Sequence, residues 1–353
     1  MRIAVTGGAG FVGSNLARMF ARDLADGQVL AFDNLRRRGA ELILEQLADD
    51  GVSYVHGDIR CPEDLESLGA LDLLIDCSAE PSVQAGYDGA ARYVIDTNLN
   101  GTVNCLEYAR RRGAGAILLS TSRVYPIAAL RELPLEEHAT RFEIPTDQSG
   151  PGWSRDGISA EFTLAGHRSL YGATKYASEL LAEEYAAMYD LPVVTNRCSV
   201  IAGPWQMGKV DQGFVALWAA RHHFGGRLDY RGFGGTGLQV RDVLHVADLY
   251  DLVSLQARNV ESHAGTLYCV GGGPERSVSL RELTTLCASH TGTRLEIGSI
   301  PETHPADVPY FVTDHRTVTQ KTGWKPSRSL DTLLDDVFRW LDAHADRLRR
   351  VLG

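Results

Sequence analysis

The sequence predicts an α/β fold, a doubly wound parallel sheet with a smaller C-terminal lobe interwoven with it. Three observations lead there. Short apolar runs alternate with amphipathic helical stretches through the first two-thirds of the chain. A glycine-rich turn links the first run to the first helical stretch. Beyond about residue 197 the alternation loosens into the glycine-rich stretches Gly225-Gly226, Gly232–Gly237 and Gly271–Gly273.

In chain order, the strand candidates are Ile3–Thr6, Gln28–Phe32, Ser53–His56, Leu71–Asp76, Ala116–Ser120 and Val193–Asn196. Helical patterns lie at Phe11–Leu24, Ala40–Asp49, Arg92–Arg112 and Leu170–Tyr189. Strands separated by helices of this length imply right-handed crossovers, which put helices on both faces of the sheet. A later run, Thr266–Val270, is expected to rejoin the sheet, and Ser329–Arg349 reads as an amphipathic helix. The stretch 126–169 is poorly periodic and rich in Pro, Gly and charge, the mark of a lid-like insertion. The expected domains are therefore 1–197 plus about 243–270, carrying that insertion, and 198–242 plus 271–353.

Composition narrows the function. With 353 residues, 44% hydrophobic and 23% charged, the chain is of ordinary globular make-up, which excludes collagen-like, coiled-coil and disordered classes. Its net charge of −10 disfavours nucleic acid as a partner. Cysteines at 61, 77, 105, 198, 269 and 287 have no CxxC spacing and suit buried thiols rather than a disulfide scaffold. The N-terminus runs from an apolar strand straight into glycines, unlike a signal peptide. No apolar run reaches membrane-spanning length. A cytoplasmic protein that binds neither membrane nor nucleic acid is expected. The pair His222-His223 lacks a carboxylate or cysteine at ligand spacing, so no metal is expected.

Gly7, Gly10 and Gly13 end a strand and open a helix. Such a turn brings backbone N–H groups to a pyrophosphate at the positive helix end. Asp33 follows twenty residues after Gly13, at the end of the next strand. Its carboxylate would accept a ribose 2′,3′-diol and repel a 2′-phosphate, favouring NAD over NADP. His56-Gly57-Asp58-Ile59 ends the third strand, where an adenine would lie.

Tyr171-Gly172-Ala173-Thr174-Lys175 sets a phenol and an ammonium four apart on one helical face. The cation favours phenolate, which suits the tyrosine to proton transfer. Ser120-Thr121 closes the fifth strand, and Thr121 is placed to hydrogen-bond a substrate hydroxyl.

Together these features resemble the extended short-chain dehydrogenase/reductase family, and within it the nucleotide-sugar epimerase and dehydratase branch. The resemblance includes Asn98 in TNLNGT, Val124-Tyr125, Arg197 with Gly203-Pro204, and QVRDVLHVADL at 239–249. It implies a Rossmann sheet, NAD as cofactor and a nucleotide-diphosphate sugar as substrate, with Arg241 and Asp242 near the nucleotide. The implied cofactor residues are Gly7, Gly10, Phe11, Val12, Gly13, Asp33, Asn34, Asp58, Ile59, Ser78, Ala79 and Asn98, with Tyr171 and Lys175. The catalytic set is Thr121, Tyr171 and Lys175. Substrate contacts are expected from Glu80, Ser82, Ser122, Arg123, Gln206, Lys209, Asp211, Gln212 and Arg241. The helices Arg92–Arg112 and Leu170–Tyr189 resemble those the family uses for a homodimer through a four-helix bundle.

Within the branch, dehydratases usually carry an Asp-Glu pair after the catalytic Thr, where this chain has Ser122 and Arg123. The glutamate of uronate decarboxylases is absent from the same stretch. STSRVY, TRF at 140–142, DQG at 211–213 and the 46-residue separation of Tyr125 and Tyr171 look most like CDP-tyvelose-type 2-epimerases. Three departures stand out. Val308-Pro309 replaces a late arginine, Pro126 replaces the glycine after VY, and Val200 replaces the asparagine common in 4-epimerases. The implied reaction is a redox-neutral inversion, with C2 favoured, through a transient ketosugar. A 4-epimerase, or a net nucleotide-sugar dehydrogenase or reductase, is the alternative enzyme. A binding-only relative is disfavoured because Tyr171 and Lys175 are both retained.

Overall fold

The computed structural model describes residues 1–87, 89–209 and 212–352. The chain forms two compact units. The first comprises Met1–Thr121, Leu170–Cys198 and Leu249–Tyr268; the second comprises Ser122–Ser169, Ser199–Asp248 and Cys269–Gly353.

The first unit is built on a seven-stranded parallel sheet. Its strands are β1 (Arg2–Thr6), β2 (Gln28–Asp33), β3 (Ser53–His56), β4 (Leu73–Asp76), β5 (Gly115–Thr121), β6 (Val193–Cys198) and β7 (Thr266–Val270). Their spatial order is β7-β6-β5-β4-β1-β2-β3. The order reverses at β1, so the chain leaves β1 and β4 in opposite directions and opens a crevice at their C-terminal ends. That crevice is where the glycine turn and residues 77–82 begin.

The central strands β1 and β4 read as apolar runs because both of their faces are covered. Ile3, Ala4, Val5, Leu73, Leu74 and Ile75 are all fully buried. On one face Ala4, Leu30, Leu74, Ala116 and Leu118 pack with Cys105, Leu106, Ala109 and Ala182 of the helices Gly101–Arg112 and Leu170–Tyr189. Leu16, Ala17 and Phe20 of the helix Phe11–Asp23 are also buried. Each such large side chain contributes about 1.5–3 kcal/mol.

Three helical expectations are modified. Ala40–Asp49 begins as a 3₁₀ turn, Ala40–Ile43, before the helix Leu44–Asp49. The continuous helix expected over Arg92–Arg112 is instead Ala91–Ile95, a wide π-helical segment Asp96–Asn100, and Gly101–Arg112. The tail divides at His344 (φ −124, ψ 23) into Leu330–Ala343 and Ala345–Leu352.

In the second unit, Val240–His245 pairs parallel with Val200–Ala202 and Tyr310–Phe311, and antiparallel with Ser277–Ser279. The helices Phe214–Phe224, Leu280–Thr291 and Leu330–Ala343 pack together in the same unit. The stretch 126–169 has its own elements, a helix Ile127–Arg131 and two short hairpins. It groups with the second unit, not with the dinucleotide domain as the sequence suggested, because its backbone pairs there. Phe142 N–H donates to Leu238 O at 3.0 Å, Ile158 N–H to Val312 O at 2.7 Å, and Tyr125 stacks on Phe311. Residues 243–248 also belong to the second unit, held by the pairing of Val240–His245.

Candidate active site

The glycine turn is built from close backbone approaches. Gly7 has φ 64, a conformation that favours glycine, and a Cβ there would fall 2.9 Å from the Cys77 carbonyl carbon. Gly10 N–H donates to Gly7 O at 2.9 Å, and a Cβ on Gly13 would lie 2.2 Å from the same oxygen. Gly10 caps the helix Phe11–Asp23 without a side chain, so the first-turn donors around Phe11, Val12 and Gly13 face no side-chain acceptor from the cap. An anion suits such a helix start.

Asp33 ends β2 beside this turn. Its Oδ2 accepts from Ala9 N–H at 3.1 Å and its Oδ1 from Leu35 N–H at 2.7 Å. These bonds fix the carboxylate beside the glycine turn. Burial raises the Asp33 pKa, against the lowering by those backbone donors. Asn34 Nδ2 donates to Asp58 Oδ2 at 2.9 Å, and Arg60 Nε donates to Asp58 Oδ1 at 3.0 Å. Burial opposes ionisation of Asp58, yet the Arg60 and Asn34 bonds outweigh it and bring its pKa down to about 2. Arg36 and Arg60 both lie over the Tyr93 ring, at 4.1 and 5.1 Å from its centroid. Ile59 is buried immediately after Asp58.

At the end of β4, the buried Asp76 fixes the start of the next loop. Its Oδ1 accepts from Thr6 Oγ1 at 2.7 Å and from Ser78 N–H at 3.1 Å, while its Oδ2 accepts from Thr102 Oγ1 at 3.0 Å. Ser78, Ala79 and Glu80 follow. Glu80 N–H donates to Asn98 Oδ1, and Asn98 Nδ2 donates back to Glu80 O. The Asn98 side chain therefore serves this loop directly. Glu80 Oε1 accepts from Ser82 N–H at 3.2 Å, and Ser82 Oγ from Gln84 N–H at 3.2 Å.

Thr121 is the last residue of β5. Tyr171 and Lys175 lie on the buried face of the helix Leu170–Tyr189, which packs on β5. Two residues that sequence reasoning did not single out complete this region. Glu179 is buried one turn beyond Lys175, and its carboxylate binds Ser120 Oγ at 2.5 Å and Arg197 at 2.7 Å. Asp76 is the other. Asp76 is an acidic residue at the end of an apolar buried strand, and that mismatch was the available signal for it; Glu179 lies on a mixed polar face, where only its spacing of four from Lys175 was legible.

The remaining expected residues sit in the second unit. Arg123 Nη1 donates to Ala306 O at 3.2 Å, and Ser122 precedes it in a short 3₁₀ turn. Arg241 Nη2 donates to Asp307 Oδ1 at 2.9 Å and to Val308 O at 2.7 Å. Burial pulls the Arg241 pKa down to about 10, with Asp307 opposing. Gln206 donates to Ile201 O at 3.0 Å, and its buried Oε1 has no partner among the described residues. Lys209 and Gln212 exchange backbone hydrogen bonds at 2.7 and 3.1 Å. Asp211 lies outside the described residues. Among the described residues there is no cluster of His, Cys, Asp or Glu able to hold a metal, and no helix long and apolar enough to cross a membrane.

A parallel sheet with a glycine turn at its crevice, an uncapped helix start and a Tyr–Lys pair on a buried helix face defines a dinucleotide-dependent enzyme of short-chain dehydrogenase/reductase type. The glycine cradle and the Asp33 carboxylate beside it fit NAD. The sequence pattern of the NAD dependent epimerase/dehydratase family matches residues 3–271. The chain belongs to that family of nucleotide-sugar epimerases and dehydratases, and its cofactor is NAD.

It is similar to CDP-paratose 2-epimerase of Salmonella typhi, with 29% identity over 96% of this chain and 99% of that protein. It is also similar to a dTDP-glucose 4,6-dehydratase of Streptomyces niveus, 31% identical over 78% of this chain and 74% of the relative. A solved dTDP-glucose 4,6-dehydratase of Streptomyces venezuelae, determined with NAD bound, superposes with a TM-score of 0.79 at 26% identity, covering 99% of this chain and 100% of that one.

Proposed function

We propose that this enzyme is a nucleotide-diphosphate-sugar epimerase acting at C2, of the CDP-paratose/CDP-tyvelose type. The observation that carries this reading is the residue set at the C-terminal end of β5. Thr121 ends the strand, Tyr171 and Lys175 share the buried face of the helix packed on it, and Ser122 and Arg123 follow Thr121. Elimination of water needs a group to remove a carbon-bound proton and another to protonate the leaving hydroxyl. Ser122 and Arg123 offer no carboxylate for either task, which counts against the dehydratase reading. The full-length similarity to a 2-epimerase supports C2.

In this reading Thr121 Oγ1 orients the sugar hydroxyl and Tyr171 Oη takes its proton. Lys175 Nζ favours the phenolate by its charge and holds the nicotinamide ribose. Bound NAD would supply the hydride acceptor and donor that a redox-neutral inversion needs. Asp33 selects the unphosphorylated ribose. Glu80 and Ser82 are the proposed substrate contacts of the first unit; in the second, Gln206, Lys209 and Gln212 are the proposed contacts, and Arg123 and Arg241 are guanidiniums of the kind that holds a diphosphate. The functional form is a homodimer through the helical stretches Arg92–Arg112 and Leu170–Tyr189; the exposed Leu180 and Met188 of the latter gain cover in a four-helix bundle.

The test is to incubate protein and NAD⁺ with CDP-, GDP- and UDP-hexoses in D₂O and follow each by proton NMR. The expected outcome is a C2 epimer without deuterium at the inverted carbon. Deuterium at that carbon means enolisation and overturns direct hydride transfer. Accumulating NADH favours a net dehydrogenase, and inversion at C4 overturns the C2 assignment.

A further inference from the structure

We infer that Glu179 is a positioning residue for the proton-transfer group: its buried carboxylate ties the helix bearing Tyr171 and Lys175 to the strand bearing Thr121. The inference rests on the reading that these three residues carry the chemistry.

Tyr171, Lys175 and Glu179 follow one another at intervals of four, so one helical face presents all three. Opposite that face, the register of β5 and β6 sets Ser120 beside Arg197 and Thr121 beside Cys198. Glu179 Oε1 accepts from Ser120 Oγ at 2.5 Å and Arg197 Nε at 3.1 Å, and Oε2 accepts from Arg197 Nη2 at 2.7 Å. One carboxylate thus joins three elements, and its bond to Ser120 lies one residue before Thr121.

The glutamate and arginine side chains are each only 4% exposed. A buried ion pair is a poor device for stability alone, since two well-packed apolar residues commonly serve as well or better. What such a pair provides is fixed geometry. The helix is also docked elsewhere, because Ser178 Oγ donates to Asn98 O at 3.0 Å and Ala182 is buried in the apolar core. Loss of the Glu179 link therefore leaves a folded helix whose phenol and ammonium are less exactly registered against Thr121. A displacement of about 1 Å at a reacting group can lower rate about a hundredfold.

The experiment compares Ser120→Ala, the double variant Glu179→Leu/Arg197→Leu and Tyr171→Phe with the wild type, using the sugar nucleotide that the NMR panel identifies. Three quantities are measured for each: kcat and KM, NAD affinity by tryptophan fluorescence, and melting temperature. Ser120→Ala removes only the link to β5 and should lower kcat about tenfold, with KM, NAD affinity and melting temperature near wild type. The double variant leaves no stranded charge. It should bind NAD and melt like the wild type while kcat falls tenfold or more. A merely structural pair predicts the reverse, recovery of kcat together with melting temperature. Wild-type kcat in both Ser120→Ala and the double variant, beside an inactive Tyr171→Phe, overturns the positioning role alone. Full activity in Tyr171→Phe overturns the reading of the site on which the proposal rests.

Discussion

Asn98 pairs with the backbone of Glu80 as a neighbouring strand would: Oδ1 accepts the Glu80 N–H at 2.7 Å, and Nδ2 donates to the Glu80 carbonyl at 3.1 Å. Asn98 is fully buried, and its own carbonyl accepts from Ser178 Oγ and Thr102 Oγ1 at 3.0 and 3.1 Å. One residue therefore joins the loop after β4 to the helix that carries Tyr171.

Replacement of Asn98 by Leu strands the Glu80 N–H and C=O. The expected loss is about 1–3 kcal/mol for each group left without a partner. Urea unfolding should show a lower midpoint at unchanged slope. NAD affinity should weaken as well, because Ser78 and Ala79 lie on the same loop.

Tyr171→Phe keeps the ring and removes the hydroxyl. Turnover should fall by about 10²–10⁴, the usual contribution of a positioned acid–base group. Fluorescence titration should find NAD affinity near the wild-type value.

The glycine turn offers a paired comparison. In Gly13→Ala the new Cβ meets Gly7 O at 2.2 Å, a backbone atom that can yield only by moving the turn. Both NAD affinity and melting temperature should drop. Gly51 has φ 78 but open space around it, so Gly51→Ala carries conformational strain alone. That variant should cost about 1 kcal/mol and bind NAD as the wild type does.

Much of this architecture was legible from residue pattern. Ser53–His56, Thr266–Val270 and Leu170–Tyr189 have the boundaries their pattern implied, even though Ser53–His56 is an edge strand only partly covered. The wide turn at Asp96–Asn100 was not legible, since its cause is tertiary: Asn98 must reach Glu80 and Ser178 at once. The pairing of 126–169 with the second unit was hidden for a similar reason, as its contacts run from backbone to distant backbone. Among the site residues, glycines and the Tyr–Lys spacing carry their own signature. Glu179 and Asp76 gain meaning only when the sheet register sets Ser120, Arg197 and Thr6 beside them.

The Asp58–Arg60 pair gives a pH prediction. The folded-state pKa of Asp58 is about 2, below the ordinary 3.8. Its stabilisation is then complete above pH 3.8 and fades as pH falls through about 2. The difference in unfolding midpoint between wild type and Asp58→Ala should be constant at neutral pH and shrink across that acid window.

Leu180 and Met188 are 47% and 65% exposed on the helix that carries Tyr171. Glu in place of either should convert a dimer to a monomer in light scattering, with melting temperature lowered by loss of the partner. A wild type that elutes as a monomer would remove the proposed bundle.

The wide turn at Asp96–Asn100 holds one residue more than a regular helix of the same rise, and within it the Asn98 carbonyl accepts from Ser178 Oγ while its side chain holds Glu80. Deleting a single residue there would restore an uninterrupted spiral, rotate everything after it by about 100°, and open the clasp on Glu80. In this stretch the clasp on Glu80 depends on backbone geometry as much as on the Asn98 side chain.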